Sequence, residues 1–176
     1  NPAVTIDEFR NAFYSERENY FGRYETSRMP GLEFWGMVAS KLRIPANRIY
    51  SLRATFERLY ARMDEGVLRL IEGLTGRYRL YTLSNSCPEL DRATLLQDHS
   101  YRHFDRMYFS HRIAMRKPFP EAYRHVLADT GSQPEQCLCV DDVQANVSAA
   151  LQVGMRAILY VSPHQLQRDL EEQLVA

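Results

Sequence analysis

Two textures of apolar and polar positions divide the chain near Gly76. Before it, apolar residues recur three and four apart, the spacing that lines one face of a helix. Phe9, Phe13 and Tyr20 mark a helical run up to Gly22, and Thr5-Ile-Asp-Glu8 ahead of it reads as a capping box. Pro30-Gly31 breaks the pattern. Leu32 to Leu42 then forms a second amphipathic segment carrying Phe34, Trp35 and Val38. After Pro45, a third stripe runs through Ile49, Leu52, Phe56, Leu59 and Tyr60. Asp64 caps a fourth helix, Val67 to Leu74, which stops at Gly76. No segment before Gly76 reads as a strand.

After Gly76 short apolar runs alternate with helical patterns. Strands are expected over Tyr78 to Leu83, Met107 to Ser110, Cys137 to Val140 and Arg156 to Val161. Helices are expected over Glu89 to Gln97, Pro120 to Thr130 and Asn146 to Gln152, with a helical tail from Gln165. Gly131 and Gly154 close the second and third of these. Strands alternating with helices imply a parallel sheet joined by right-handed crossovers. The expected fold is therefore α/β: a Rossmann-like doubly wound core over 76–176, preceded by a helical segment over 5–75.

Composition narrows the class. Twenty-two basic and 22 acidic residues give a formal net charge of zero, which argues against a broad nucleic-acid or anionic-membrane footprint. No apolar run is long enough to span a bilayer, and no signal peptide is visible. The three cysteines, Cys87, Cys137 and Cys139, lack disulfide-framework spacing and read as reduced thiols in a cytoplasmic protein. Cys137 and Cys139 share one strand face, where small core hydrophobes are the ordinary use. The five histidines form no pair at ligand spacing within a common cluster and are assigned to no metal. The aromatics Phe13, Tyr14, Tyr20, Phe21, Tyr24, Phe34 and Trp35 read mainly as a helical core, with a substrate pocket as the competing use.

Three polar groups fall at or just after the ends of expected strands. Ser84-Asn85 ends the first, Lys117 lies in the loop after the second, and Asp141-Asp142 ends the third. In an open α/β sheet, ligands bind beyond the carboxyl ends of the strands, so all three meet one rim. Each has a bland use: Ser-Asn as a turn, a lysine as a solvated charge, an Asp pair as a helix cap. As a set, hydroxyl and amide donors, an ammonium and two adjacent carboxylates suit a phosphate and its Mg²⁺. A receiver domain uses a similar set, but its acidic pair comes first and its lysine last, the reverse of the order here.

Leu83-Ser-Asn-Ser86, Met115-Arg-Lys-Pro118 and Val140-Asp-Asp-Val-Gln-Ala-Asn146 resemble the second, third and fourth motifs of the haloacid dehalogenase-like hydrolases. Ala149-Ala-Leu-Gln-Val-Gly-Met155 fits the small-residue helix that follows. The resemblance is to the subgroup of glucose-1-phosphate phosphatase-like enzymes and the phosphatase domain of soluble epoxide hydrolases. It is tight over about 76 to 162 and looser over 5–75, where the helices before Gly76 look like that subgroup's small N-terminal helical cap. It implies that Ser84 binds the transferring phosphoryl group with support from Asn85, and that Lys117 neutralises phosphate and nucleophile charge. Asp142 would be the Mg²⁺ ligand, directly or through water. Asp141 would hold water or orient Lys117, and Asn146 would face the substrate. The implied partner is a small phosphorylated metabolite.

The family's first motif, Asp-x-Asp at the end of a central strand, supplies the nucleophile and the general acid and base. No Asp-x-Asp occurs in this sequence. Omitting a central strand leaves unpaired backbone groups on two neighbours, at about 1–3 kcal/mol per buried group. The chain also begins Asn1-Pro2-Ala3, without an initiator methionine. The expectation is a fragment or processed form, with strand and motif on some ~20–30 upstream residues. The expected function is thus a Mg²⁺-dependent phosphatase working through an aspartyl-phosphate, here without its nucleophile. The alternative is a non-catalytic binding or scaffold protein on the same fold.

Overall fold

The structure is a computed structural model, and it describes residues 5–14, 19–59, 64–97 and 99–174. Its helices are α1 (Ile6–Phe13), α2 (Tyr20–Tyr24), α3 (Gly31–Lys41), α4 (Ile49–Leu59), α5 (Glu65–Leu74), α6 (Pro88–Gln97), α7 (Ser110–Ile113), α8 (Pro120–Thr130), α9 (Gln144–Gln152) and α10 (Pro163–Leu174). Its strands are β1 (Tyr81–Ser84), β2 (Arg106–Phe109), β3 (Leu138–Asp141) and β4 (Arg156–Leu159). The capping box is present: Thr5 Oγ1 accepts from the Glu8 amide while the Glu8 carboxylate accepts from the Thr5 amide. The single helical run expected up to Gly22 is instead α1 and α2, the latter entered through Asn19 at φ 45°. Tyr60, expected to close the third stripe, lies outside the described residues.

The chain forms two compact units. They do not follow a single cut in the sequence. The first takes residues 1–62 together with 85–98 and 109–114; the second takes 63–84, 99–108 and 115–176. Two local interactions account for the difference from a boundary at Gly76. Helix α5 carries Leu70 and Leu74 against Ile158, Leu166 and Leu170, so it packs with β4 and α10 rather than with the helices before it. Helix α6 carries Glu89 into the N-terminal helices, as described next.

The first unit is built on Phe13, Tyr24, Phe34, Trp35, Val38 and Phe56. Phe13 meets Phe34 edge-on at 5.1 Å between ring centroids, and Tyr24 stacks on Phe34 at 4.4 Å. The aromatics expected as a helical core therefore are one, apart from Tyr14, which is 45% exposed. Glu89 sits among them with its side chain 1% exposed. It accepts from the Tyr24 hydroxyl, from Trp35 Nε1 at 3.0 Å and from Arg53 at 2.6 Å. A buried carboxylate is tolerated because these donors replace its water. Burial works against its ionisation, but the Tyr24 and Trp35 hydrogen bonds and Arg53 outweigh it, and its pKa is lowered. The Tyr24 hydroxyl is pushed the other way by burial and by this carboxylate.

The second unit holds the strands, as two two-stranded sheets, β1–β2 and β3–β4. Strands β3 and β4 pair in parallel with Leu138 opposite Arg156 and Asp141 opposite Leu159. The ladder continues with the Tyr160 amide donating to Asp141 O, which fixes the carboxyl end of β3. Helix α9 lies on this pair through Ala149 and Ala150, whose small side chains permit a close approach. Leu83 of β1 and Cys139 of β3 pack against the same cluster, around Tyr123 of α8. Yet among the described residues no strand pairs with β1 on one side and β3 on the other. Gly131 and Gly154 end α8 and α9 at φ 64° and 92°, the left-handed backbone that glycine adopts without penalty.

Candidate functional site

The end of β3 carries the densest polar arrangement of the second unit. Asp141 is the last residue of the strand and is buried. Its Oδ2 accepts from Lys117 Nζ at 2.5 Å, with the two side chains 3% and 14% exposed. Its Oδ1 accepts from the Val143 amide and from Asn146 Nδ2, both at 2.9 Å. Two residues along from the strand, the amide bond to Val143 closes a side-chain turn of the kind Asp makes at strand-to-helix corners. Neither acid caps α9 in the ordinary way, because the N-cap position is Val143 and has no side-chain cap bond. The bland reading of the pair as a helix cap thus accounts only for the turn.

Asp142 differs from its neighbour in every respect. It is exposed and makes no hydrogen bond or ion pair with any described residue. Its charge is still felt locally: burial first, then Asp64 and Asp142, raise the Tyr160 pKa.

Lys117 reaches Asp141 from the loop between α7 and α8, where the Lys117–Pro118 peptide bond is cis. Helix α8 supports the opposite side. The Tyr123 hydroxyl donates to the Asn146 carbonyl at 2.8 Å, and Tyr123 itself is buried in the cluster with Ala149 and Ala150. Burial, with the nearby Cys139 and Asp141 charges, pushes the Tyr123 hydroxyl pKa up. Burial likewise pushes the Cys139 thiol up to about 11, so it is no thiolate nucleophile at neutral pH.

Of the residues singled out by sequence, Lys117, Asp141 and Asn146 are joined by hydrogen bonds, with Asp142 adjacent. Ser84 ends β1 in the same unit, half-buried, its hydroxyl unbonded to any described residue. Asn85 falls in the first unit. Sequence reasoning did not find the role of Tyr123, since a helical tyrosine carries no sign of what its hydroxyl meets. Nor did it find a second polar cluster, in the first unit. There the Ser110 hydroxyl accepts from the Ser86 amide and donates to the Ser86 carbonyl. Asp91 binds Arg112 through both oxygens and His111 Nε2 at 2.9 Å. Among the described residues no group of three or more His, Cys, Asp or Glu side chains could hold a metal ion.

The family model for haloacid dehalogenase-like hydrolases matches residues 4–154. The drimenol cyclase drtB of Aspergillus calidoustus is 28% identical over 154 residues, covering 85% of this chain. The chain spans only 29% of that relative's length. The sesquiterpene phosphatase astK of Aspergillus oryzae is 28% identical over 136 residues, 76% of this chain and 68% of that protein. Among solved structures, the HAD family enzyme bt-2542 of Bacteroides thetaiotaomicron, in complex with magnesium and inorganic phosphate, superposes with a TM-score of 0.71 at 21% identity. It covers 92% of this chain and 87% of its own.

Proposed function

We propose, from the premise that the chain belongs to the haloacid dehalogenase-like hydrolase family, that it is the phosphate- and metal-binding part of a Mg²⁺-dependent phosphatase of a small phosphate monoester. The observation that carries this reading is the Lys117–Asp141–Asn146 set beside an unengaged Asp142. A lysine held by a buried carboxylate is fixed in place for phosphate, while the second carboxylate is left to a cation. Relatives with phosphatase in their names, such as astK, support the same reading.

The residues present fit Mg²⁺ by their chemistry. Asp142, exposed beside the Lys117–Asp141 pair, offers an open edge of hard oxygens instead of a closed cage. Mg²⁺ commonly binds one or two carboxylates and keeps waters or phosphate oxygens on its other positions. When bound, it would supply charge to the phosphoryl oxygens. Lys117 would stabilise charge on the same group, and Ser84 would hydrogen-bond it. The nucleophile is not in this sequence. In our reading the reaction passes through an aspartyl-phosphate, and no residue of this sequence is assigned as its nucleophile. A cytoplasmic setting suits three free thiols. Among the described residues no helix is long and apolar enough to cross a membrane.

The competing reading is a non-catalytic binding protein on this fold, favoured by the absence of Asp-x-Asp. The test is phosphatase assay of the natural protein in its full length, with and without Mg²⁺, against a panel of phosphate monoesters. We expect Mg²⁺-dependent turnover that falls at least ~10²-fold in Asp142→Ala and Lys117→Ala, the scale of losing one transition-state contact. Full activity in either variant overturns the residue roles; no turnover in any form favours the binding protein.

A further inference from the structure

We infer that His111 is the pH-sensitive member of a buried clamp in the first unit. It carries a proton on both ring nitrogens while it joins Asp91 to the Ser86 carbonyl, and it releases one of them when the second proton leaves. The phosphatase reading gives these side chains no role, and neither inference depends on the other.

Two acceptors face one imidazole. His111 Nε2 lies 2.9 Å from Asp91 Oδ2, and Nδ1 lies 3.0 Å from the Ser86 carbonyl oxygen. A carbonyl oxygen only accepts, and so does an ionised carboxylate. Arg112 donates to both Asp91 oxygens, at 2.6 and 2.8 Å, the fork geometry of a carboxylate partner. Neutral imidazole has one N–H, so in that form a bare nitrogen faces one of the two oxygens. Only the imidazolium donates to both. The His111 and Asp91 side chains are 10% and 7% exposed, so water is a poor substitute for the missing donor.

The surrounding charges pull in two directions. Asp91 of α6 favours the imidazolium, whereas burial and Arg112, the next residue of α7, disfavour it. Arg112 is already paired with Asp91 and its side chain is 47% exposed, so solvent screens its charge. Phe109 stacks on the ring at 6.0 Å between centroids, and Ser27, from the turn between α2 and α3, donates to the His111 carbonyl. Neither brings charge to the ring. The two acceptors therefore decide the matter.

The clamp holds the Ser86 peptide at the entry to α6. Ser110, 0% exposed, accepts from the Ser86 amide at 2.9 Å and donates to the Ser86 carbonyl at 3.0 Å. His111 adds a second donor to that carbonyl and ties it to Asp91 in the first turn of α6. The proton favours the closed clamp. The clamp is complete below the ordinary histidine value near 6.5 and loosens as pH rises through the titration of the ring in the folded protein. Ser110 then holds Ser86 without the histidine bridge.

The experiment is NMR of the protein labelled with ¹⁵N-histidine, with the His111 ring identified by its loss in His111→Gln. At pH 7.5 we expect both His111 nitrogens to be protonated. In urea at that pH, one unit above the ordinary value, only about a tenth of the rings carry the second proton. Exchange of the Ser86 amide, corrected for its intrinsic rise with pH, should quicken about tenfold between pH 6 and pH 9, the scale of one hydrogen bond to a charged group. In His111→Gln it should stay level, because glutamine does not titrate; a histidine that only fills space would confer no such difference. One bare ring nitrogen at pH 7.5 in the folded protein overturns the proposal, as does equal pH dependence of Ser86 exchange in the two proteins. If the variant does not fold, the ring is assigned through its bonds to the His111 backbone, and the ring measurement decides alone.

Discussion

Replacing Lys117 by methionine should be among the more damaging single changes in the second unit. Methionine keeps the aliphatic stem and removes only the charge. Asp141 is then left with its side chain 3% exposed and without its cation. Breaking a well-buried ion pair from one side costs about 3–5 kcal/mol. Two features put this case at the low end. The Val143 and Asn146 donors remain on Oδ1, and Lys117 is 14% exposed, so water can reach the gap it leaves. We expect a loss of about 3 kcal/mol, a large part of a domain stability of ~5–15 kcal/mol. With a urea slope of about 2 kcal/mol/M, the unfolding midpoint falls by about 1.5 M. Adding Asp141→Asn removes the stranded charge, so the double variant should be more stable than the sum of the two singles by about 2 kcal/mol. Four urea titrations at pH 7 measure the cycle. A Lys117→Met midpoint within about 0.3 M of the unaltered chain, or an additive cycle, would refute the claim that this pair is buried and coupled.

Two further outcomes follow from other parts of the molecule. Glu89 has a lowered pKa, so its contribution is full above the unfolded value near 4.3 and is lost as pH falls through the folded value. The urea midpoint of the unaltered chain should therefore drop more steeply below pH 5 than that of Glu89→Gln; parallel profiles would contradict the Glu89 network. At Gly66 an added Cβ would lie 2.7 Å from Pro163 Cβ and Cγ, where α5 meets α10. Gly66→Ala gains about 1 kcal/mol of helix propensity but forces a displacement costing about 1–3 kcal/mol. We expect the melting temperature to fall by a few degrees, and a rise would show that α5 and α10 do not pack there.

Much of the local structure is legible in the chain itself. Thr5 and Glu8 specify a helix start because both partners of the capping box lie within one turn. The four strands announce themselves as short apolar runs ending in polar residues, though their observed ends differ by up to three residues. Tyr78 to Tyr81 shows the reason: an apolar residue extends a pattern whether or not a neighbouring strand is there to bond it, and β1 begins only at Tyr81. The placing of Ser84, Lys117 and Asp141 at or after three successive strands is equally readable, because chain order fixes it.

What the sequence determined by itself is most of the elements, the family and the roster of polar residues at or after the strand ends, since these depend on periodicity and on neighbours a few positions away. The tertiary structure alone decided who meets whom. It turned α5 toward α10, sent Glu89 to Tyr24 across 65 residues, and among the described residues placed β1 and β3 in separate sheets. It also made two adjacent aspartates unlike. Asp141 and Asp142 are one residue type in one dipeptide, and in the sequence only their places in the motif tell them apart. Their difference arises because a hydrogen bond selects by direction and distance. Only the folded chain brings Lys117 and Asn146 to one carboxylate and leaves the other to solvent.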